Sequence, residues 1–201
     1  MAAVVGPDDL CVDVGANVGS VSAELVRLAP SVGHVLIEPL PEMRPILTAR
    51  FPHCDVVTAA VSDHEGTSTF VAVTDRPTRS GLRPNMRTRS MRARSITVGV
   101  TTLDRLLENR PARLLKIDVE GTELEVLRGA QKTLARDRPV VVFEHQPKDA
   151  RALEESRELH GLLSEAGYRL FDIDGNGPLD ERAFLASARR QRLWTYVASA
   201  G

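Results

Sequence analysis

Two stretches of this 201-residue chain place chemistry-bearing side chains where an apolar run ends. The first is Cys11-Val12-Asp13-Val14-Gly15-Ala16-Asn17-Val18-Gly19, which leads through a glycine turn into a segment of helical period. Open α/β sheets bind ligands at such strand-to-helix turns. Gly15 and Gly19 allow the backbone to approach a ligand, and Asn17 tolerates the left-handed conformations of tight turns. The spacing is D-x-G-x-N-x-G, whereas a pyrophosphate site would want G-x-G-x-x-G. Asp13 puts a carboxylate near the turn, which disfavours a phosphate and suits an ammonium group. Glu38 ends the next apolar run, at the position where an acidic side chain accepts hydrogen bonds from both hydroxyls of a ribose, and Pro39 then starts a new turn. The second stretch is Leu115-Lys116-Ile117-Asp118-Val119-Glu120-Gly121. A central parallel strand is buried on both faces, so Lys116 and Asp118 must be paired or must face a site. Alternation puts Lys116, Asp118 and Glu120 on one side. Lys116 therefore reads either as part of the site or as half of a buried Lys–carboxylate pair. Glu144 and His145 end the following run, and adjacent strand ends open into one crevice.

These residues need a scaffold, and the chain offers one. Short aliphatic runs at 10–14, 34–37, 55–59, 113–117 and 140–143 alternate with helix-period segments at 19–29 and 122–135, the pattern of a parallel sheet covered by helices on both faces. A helix at 152–166 then leads to strand-like runs at 168–173 and 193–198, joined by a polar turn and expected to pair antiparallel at one sheet edge. The expectation is a single α/β domain over 1–201, with a seven-stranded, mostly parallel, Rossmann-like sheet. Between residues 62 and 104 the alternation stops. Strand candidates at 67–73 and 96–101 flank an inserted loop at about 75–95 that carries Arg76, Arg79, Arg83, Arg87, Arg89, Arg92 and Arg94.

Asp13 through Gly19, Glu38-Pro39, Thr102-Leu103-Asp104 and Leu115 through Gly121 together resemble, in order, the FkbM family of S-adenosylmethionine-dependent methyltransferases. The resemblance spans roughly residues 10–175, and Lys-Ile-Asp-Val-Glu-Gly is its most specific part. It implies a class I methyltransferase fold, S-adenosylmethionine as donor, and O-methylation of a sugar, polyketide or other secondary metabolite. On the cofactor side the candidates are Asp13, Gly15, Ala16, Asn17, Gly19, Glu38, Pro39, Val61, Ser62 and Asp118. The catalytic candidates are Lys116, Asp118, Glu120, Glu144 and His145.

Methyl transfer needs a nucleophilic oxygen aligned with the methyl carbon, and an alcohol must also lose its proton. Either His145 or a carboxylate takes it, or a divalent ion held by Asp118 and Glu144 lowers the hydroxyl's pKa. Oxygen ligands with one imidazole fit Mg²⁺ or Mn²⁺ better than zinc.

A formal net charge of -1, from 26 basic and 27 acidic residues, gives no global field for nucleic acid or membranes. The arginine-rich loop is left as a solvated segment, a clamp for an anionic acceptor, or an RNA patch, and its lack of aromatics speaks against RNA. Cys11 and Cys54 read as reduced core thiols, and the absence of a signal-like start or a long apolar run implies a cytoplasmic protein. With few residues before the first strand, a second copy in a homodimer is one way to cover the acceptor. Asp172 to Asp180 mimics a calcium loop, but Ala183 stands where a bidentate Glu is needed, so a polar hairpin loop is expected. The competing functions are an RNA methyltransferase and a non-catalytic binding module on the same fold.

Overall fold

The computed structural model describes residues 4–73, 80–82, 92–147, 149–190 and 194–200. In chain order its first half holds β1 (Cys11–Val14), α1 (Ser20–Leu28), β2 (Val35–Ile37), α2 (Met43–Arg50), β3 (Asp55–Val57), β4 (Ala60–Val61), β5 (Gly66–Val73) and β6 (Ala93–Thr101). Its second half holds α3 (Leu103–Leu106), β7 (Leu114–Ile117), α4 (Glu123–Arg128), α5 (Gln131–Asp137), β8 (Val140–Glu144), α6 (Ala150–Glu165), β9 (Tyr168–Asp172), α7 (Glu181–Arg190) and β10 (Thr195–Ala200).

The main sheet has seven strands in the order β3-β2-β1-β7-β8-β10-β9. β10 runs antiparallel to both neighbours, and the other pairings are parallel, as the aliphatic runs implied. The chain moves outward from β1 to β3 and later returns to lay β7 on the other side of β1. The connections leaving β1 and β7 diverge, so a crevice opens at their carboxyl ends. β1 and β7 are buried at every position, which is why their charged residues must be compensated inside the fold.

Three features depart from the sequence expectation. The single helix expected over 122–135 is broken into α4 and α5. A Cβ on Gly129 would lie 2.1 Å from the Ser62 carbonyl oxygen, and Asp104 restarts the helix by accepting the Thr133 and Lys132 N–H groups at 2.8 and 3.0 Å. This gives the Thr102-Leu103-Asp104 motif a capping role. The turn expected between the last two strands contains the ten-residue α7, whose start is capped by Asp180 Oδ1 accepting the Ala183 N–H and whose buried stripe is Phe184, Leu185 and Ala188. The carboxylate of Asp172 is occupied by the backbone N–H and side-chain amide of Asn176, both at 2.8 Å, so the calcium-like loop is closed on itself. Between β2 and β3 the chain also forms α2, buried through Met43 and Leu47.

The base of the insert is a β-hairpin. β5 and β6 pair antiparallel over eight positions, and β4 joins them to make a second, three-stranded sheet. Phe70, Ala72, Val98 and Val100 pack there with Leu36, Met43, Leu47 and Phe51, anchoring the second sheet to β2 and α2. Arg76, Arg79, Arg83, Arg87 and Arg89 lie outside the described residues. Arg94 forms an ion pair with Glu42 at 2.8 Å. Both cysteines are free, and burial pushes the Cys11 thiol up to about 11.

Candidate active site

The glycine turn is built by backbone geometry. Gly15, Asn17 and Gly19 all adopt positive φ, at 80°, 49° and 82°. The N–H groups of Gly15 and Ala16 both donate to the Ile37 carbonyl, at 2.9 and 3.0 Å. A Cβ on Gly15 would stand 1.9 Å from the Asp118 carbonyl oxygen, and one on Gly19 would stand 2.3 Å from the Phe51 ring. Gly15→Ala combines left-handed strain with that collision, so it is expected to destabilise the fold by more than about 2 kcal/mol. Thermal unfolding measures this directly, and an unchanged midpoint would mean that the turn is not held as described.

Glu38 sits beside this turn, 7% exposed. Its Oε2 accepts the Asn17 N–H and its Oε1 accepts the Leu40 N–H, each at 2.9 Å. Burial raises its pKa above the ordinary carboxylate value, while the two N–H donors and the charge of Lys116 work in the opposite direction.

Asp13 and Lys116 are cross-strand partners in the β1–β7 register, and this settles where their charges go. Asp13 is fully buried; Oδ2 accepts the Ser22 hydroxyl at 2.6 Å, and Oδ1 lies 2.9 Å from Lys116 Nζ in an ion pair that lacks hydrogen-bond angles. Lys116 Nζ donates to the Gly15 carbonyl at 2.8 Å and stands 3.7 Å from Asp118 Oδ2. The expectation that Asp13 meets an ammonium group of a ligand is therefore corrected, because both carboxylate oxygens are used inside the fold. Lys116 takes the paired alternative and braces the turn from below.

A cavity of about 600 Å³, its open mouth included, occupies the crevice. Gly15, Asn17, Glu38 and Pro39 line it, together with Asp118, Val119, Glu120 and Thr122. Ala59, Ala60 and Val61 add an apolar lining. Phe70, Ser80 and Leu82 of the insert complete the wall. Gly81 is bridged to Val71 by paired backbone hydrogen bonds at 2.9 and 3.1 Å, and Ser80 Oγ accepts the Val73 N–H at 2.9 Å. The expected cofactor-side residues Ala16, Gly19 and Ser62 shape this crevice without lining it; the Ser62 N–H ties β4 to β6 through the Thr101 carbonyl. The insert wall was missed from the sequence, where Leu82 stands as a lone apolar residue beside Gly81 and near the arginines.

Asp118 follows β7, and its N–H donates to the Val14 carbonyl at 3.1 Å. Burial pushes its carboxyl up to about 6; Lys116 opposes that shift, and Glu144, Glu120 and Glu123 reinforce it. Glu144 is exposed at the end of β8, and its pKa is raised by burial of part of the group and by Glu120 and Glu123, against the pull of Lys116. Glu120 is held at φ 55° and Gly121 at φ 96°.

His145 is not in this cavity. It is 6% exposed, with Nδ1 3.3 Å from Glu123 Oε2 and Nε2 2.8 Å from Ser156 Oγ, and its ring stacks on Phe184. The expectation of His145 as a base is corrected on that ground, since both ring nitrogens are engaged away from the cavity. Trp194 is 48% exposed, and its carbonyl accepts the His145 N–H at 2.7 Å. Among the described residues no group of three or more His, Cys, Asp or Glu side chains is arranged to hold a metal ion. No helix among them is long and apolar enough to cross a membrane.

The strand order, together with an open crevice at the β1–β7 switch point, defines a class I methyltransferase-type α/β fold. The chain belongs to the methyltransferase FkbM domain family, which matches residues 13–170. Among solved structures it is similar to the FkbM methyltransferase of Methylobacillus flagellatus KT, with a TM-score of 0.61 and 16% identity, over 96% of this chain and 44% of that one. It is also similar to Aeropyrum pernix fibrillarin with natively bound S-adenosyl-L-methionine, with a TM-score of 0.53 and 13% identity, over 98% of this chain and 68% of that one. At these identities the likeness is one of fold. A curated relative, the AMB antimetabolite synthetase AmbE of Pseudomonas aeruginosa, is 28% identical over 83% of this chain. The chain spans 10% of that protein's length.

Proposed function

We propose that the chain is an S-adenosylmethionine-dependent O-methyltransferase acting on a hydroxyl group of a small metabolite. The observation that carries this is the buried carboxylate of Glu38, held by two backbone N–H groups in a cavity that Asp118 also lines. Each Glu38 oxygen accepts one N–H and keeps a lone pair, so the pair can accept from the two hydroxyls of a ribose. Pro39, Ala60, Val61, Phe70 and Leu82 offer an apolar surface to a purine. When bound, S-adenosylmethionine supplies an electrophilic methyl group on a sulfonium centre.

Asp118 is the residue assigned to the proton. With its carboxyl raised to about 6 it is ionised at neutral pH and more basic than an ordinary aspartate, which suits it to accept the acceptor hydroxyl's proton at Oδ. His145 is given no such role. The family match and the similarity to an antimetabolite synthetase favour a secondary-metabolite acceptor.

Incubation with methyl-labelled S-adenosylmethionine and a panel of hydroxylated metabolites is expected to yield a labelled methyl ether identifiable by mass spectrometry. Label found only on nitrogen or carbon would overturn the choice of oxygen. Among the described residues no group of three or more potential ligands includes Asp118 and Glu144, so exhaustive EDTA treatment is expected to leave activity within about twofold of the untreated enzyme. Loss of activity that Mg²⁺ or Mn²⁺ restores would instead place an essential ion on those two carboxylates.

A further inference from the structure

The loop from Asp118 to Gly121 carries Asp118 and Glu120 to the cavity wall, and its shape is not self-supporting. Glu120 and Gly121 are successive residues in the left-handed region, and three other carboxylates, Glu120, Glu123 and Glu144, raise the pKa of Asp118 by repulsion. The Gly121 N–H is held by Glu123 Oε1 at 2.8 Å. The other oxygen of Glu123 faces His145 Nδ1, and His145 Nε2 meets Ser156 Oγ of α6. All three side chains are buried, at 4%, 6% and 0% exposure.

Hydrogen-bond bookkeeping constrains this chain. Ser156 Oγ lies 2.8 Å from both His145 Nε2 and the Ala152 carbonyl, and its single proton serves one of them. If it goes to Ala152, His145 Nε2 must carry a hydrogen; if it goes to His145, Nε2 is the acceptor. In either case a neutral or protonated ring meets the Glu123 carboxylate favourably only with a hydrogen on Nδ1. His145 is further fixed by its own N–H on the Trp194 carbonyl and by Phe184 of α7. The contact between Glu123 and His145 is therefore a cross-tie between the ends of β7 and β8, the two strands that deliver Asp118 and Glu144.

We propose that Glu123 and His145 are positioning residues, which lock the Asp118–Gly121 loop to β8 and α6 and so set the place of Asp118 against the acceptor hydroxyl. This deepens the proposed methyl transfer and rests on Asp118 being its proton acceptor. Misplacement of a reacting group by a fraction of an ångström lowers turnover while leaving a remote ribose contact such as that of Glu38 intact.

Two readouts test the tie, one of them independent of catalysis. In ¹⁵N-glycine-labelled protein, Glu123→Ala is expected to speed exchange of the Gly121 amide at least about tenfold relative to core amides, and Glu123→Gln, which keeps an acceptor, to leave it near the wild-type rate. In turnover assays, Glu123→Ala and His145→Ala are each expected to lower kcat by about 10- to 100-fold with cofactor affinity changed by less than about threefold, and Glu123→Gln to recover most of the loss. Unchanged Gly121 exchange in Glu123→Ala overturns the proposal, as does a parallel fall of kcat and cofactor affinity in both alanine variants. If the wild-type protein transfers no methyl group, the proposed function falls, and the Gly121 comparison still decides whether the tie exists.

Discussion

Asp118→Asn is expected to lower turnover by about 1,000-fold while changing cofactor affinity by less than about threefold, the range in which a lost general base is felt. Asparagine keeps the shape of the side chain and removes its charge and its capacity to take a proton. The wild-type enzyme should lose kcat/KM as pH falls through about 6, because Asp118 must be ionised to act and burial among Glu144, Glu120 and Glu123 has raised its pKa to that value. The variant's residual activity should lack this acid limb.

Stability should move the other way. A carboxyl whose folded pKa is raised holds its proton more tightly in the folded state, so folding is disfavoured as pH rises through that value and the penalty persists above it. At pH 7.5 Asp118→Asn should therefore match or exceed the wild-type thermal midpoint, with the advantage shrinking as pH falls from about 6 into the ordinary carboxylate range. A variant that is both inactive and less stable would show that Asp118 mainly supports the fold.

Glu38→Ala is expected to weaken S-adenosylmethionine binding by about 100-fold or more, since two hydrogen bonds to a charged acceptor are lost together. The substitution also strips the Asn17 and Leu40 N–H groups of their partner, so part of the loss comes from a loosened turn. Glu38→Gln separates these contributions: its carbonyl oxygen can still accept one N–H, while the second acceptor is gone. Saturating cofactor should restore most of the turnover of Glu38→Ala. Equal loss of affinity and turnover in both the Glu38 and Asp118 variants would contradict the division of labour proposed for them.

Much of this site was legible in the sequence because it depends on local chemistry. Asn17 was expected to tolerate left-handed backbone in a tight turn, and it takes that conformation together with Gly15 and Gly19. The runs that became β1, β2, β7 and β8 differ from expectation by one residue at an end, since aliphatic strands buried on both faces have few alternatives. What escaped was set by register and helix rotation. Asp13 meets Lys116 only because β1 and β7 are neighbours in a particular register, which no local pattern states. His145 turns away from the cavity because Glu123 on α4 and Ser156 on α6 reach it from helices about 20 and 10 residues distant. Leu82 became part of the cavity wall through its neighbour's bridge to Val71, a contact that depends on how the insert folds back. α7 carried a legible cap in Asp180, but its short apolar stripe lies among arginines and reads as a polar segment.

Titration calorimetry with S-adenosylmethionine tests the central claim most directly, because it needs no knowledge of the acceptor. Saturable binding to one site per chain, weakened by Glu38→Ala and retained by Asp118→Asn, is the predicted result. Absence of binding to the wild-type chain, or binding that Glu38→Ala leaves unchanged, would contradict the assignment of this cavity to the methyl donor.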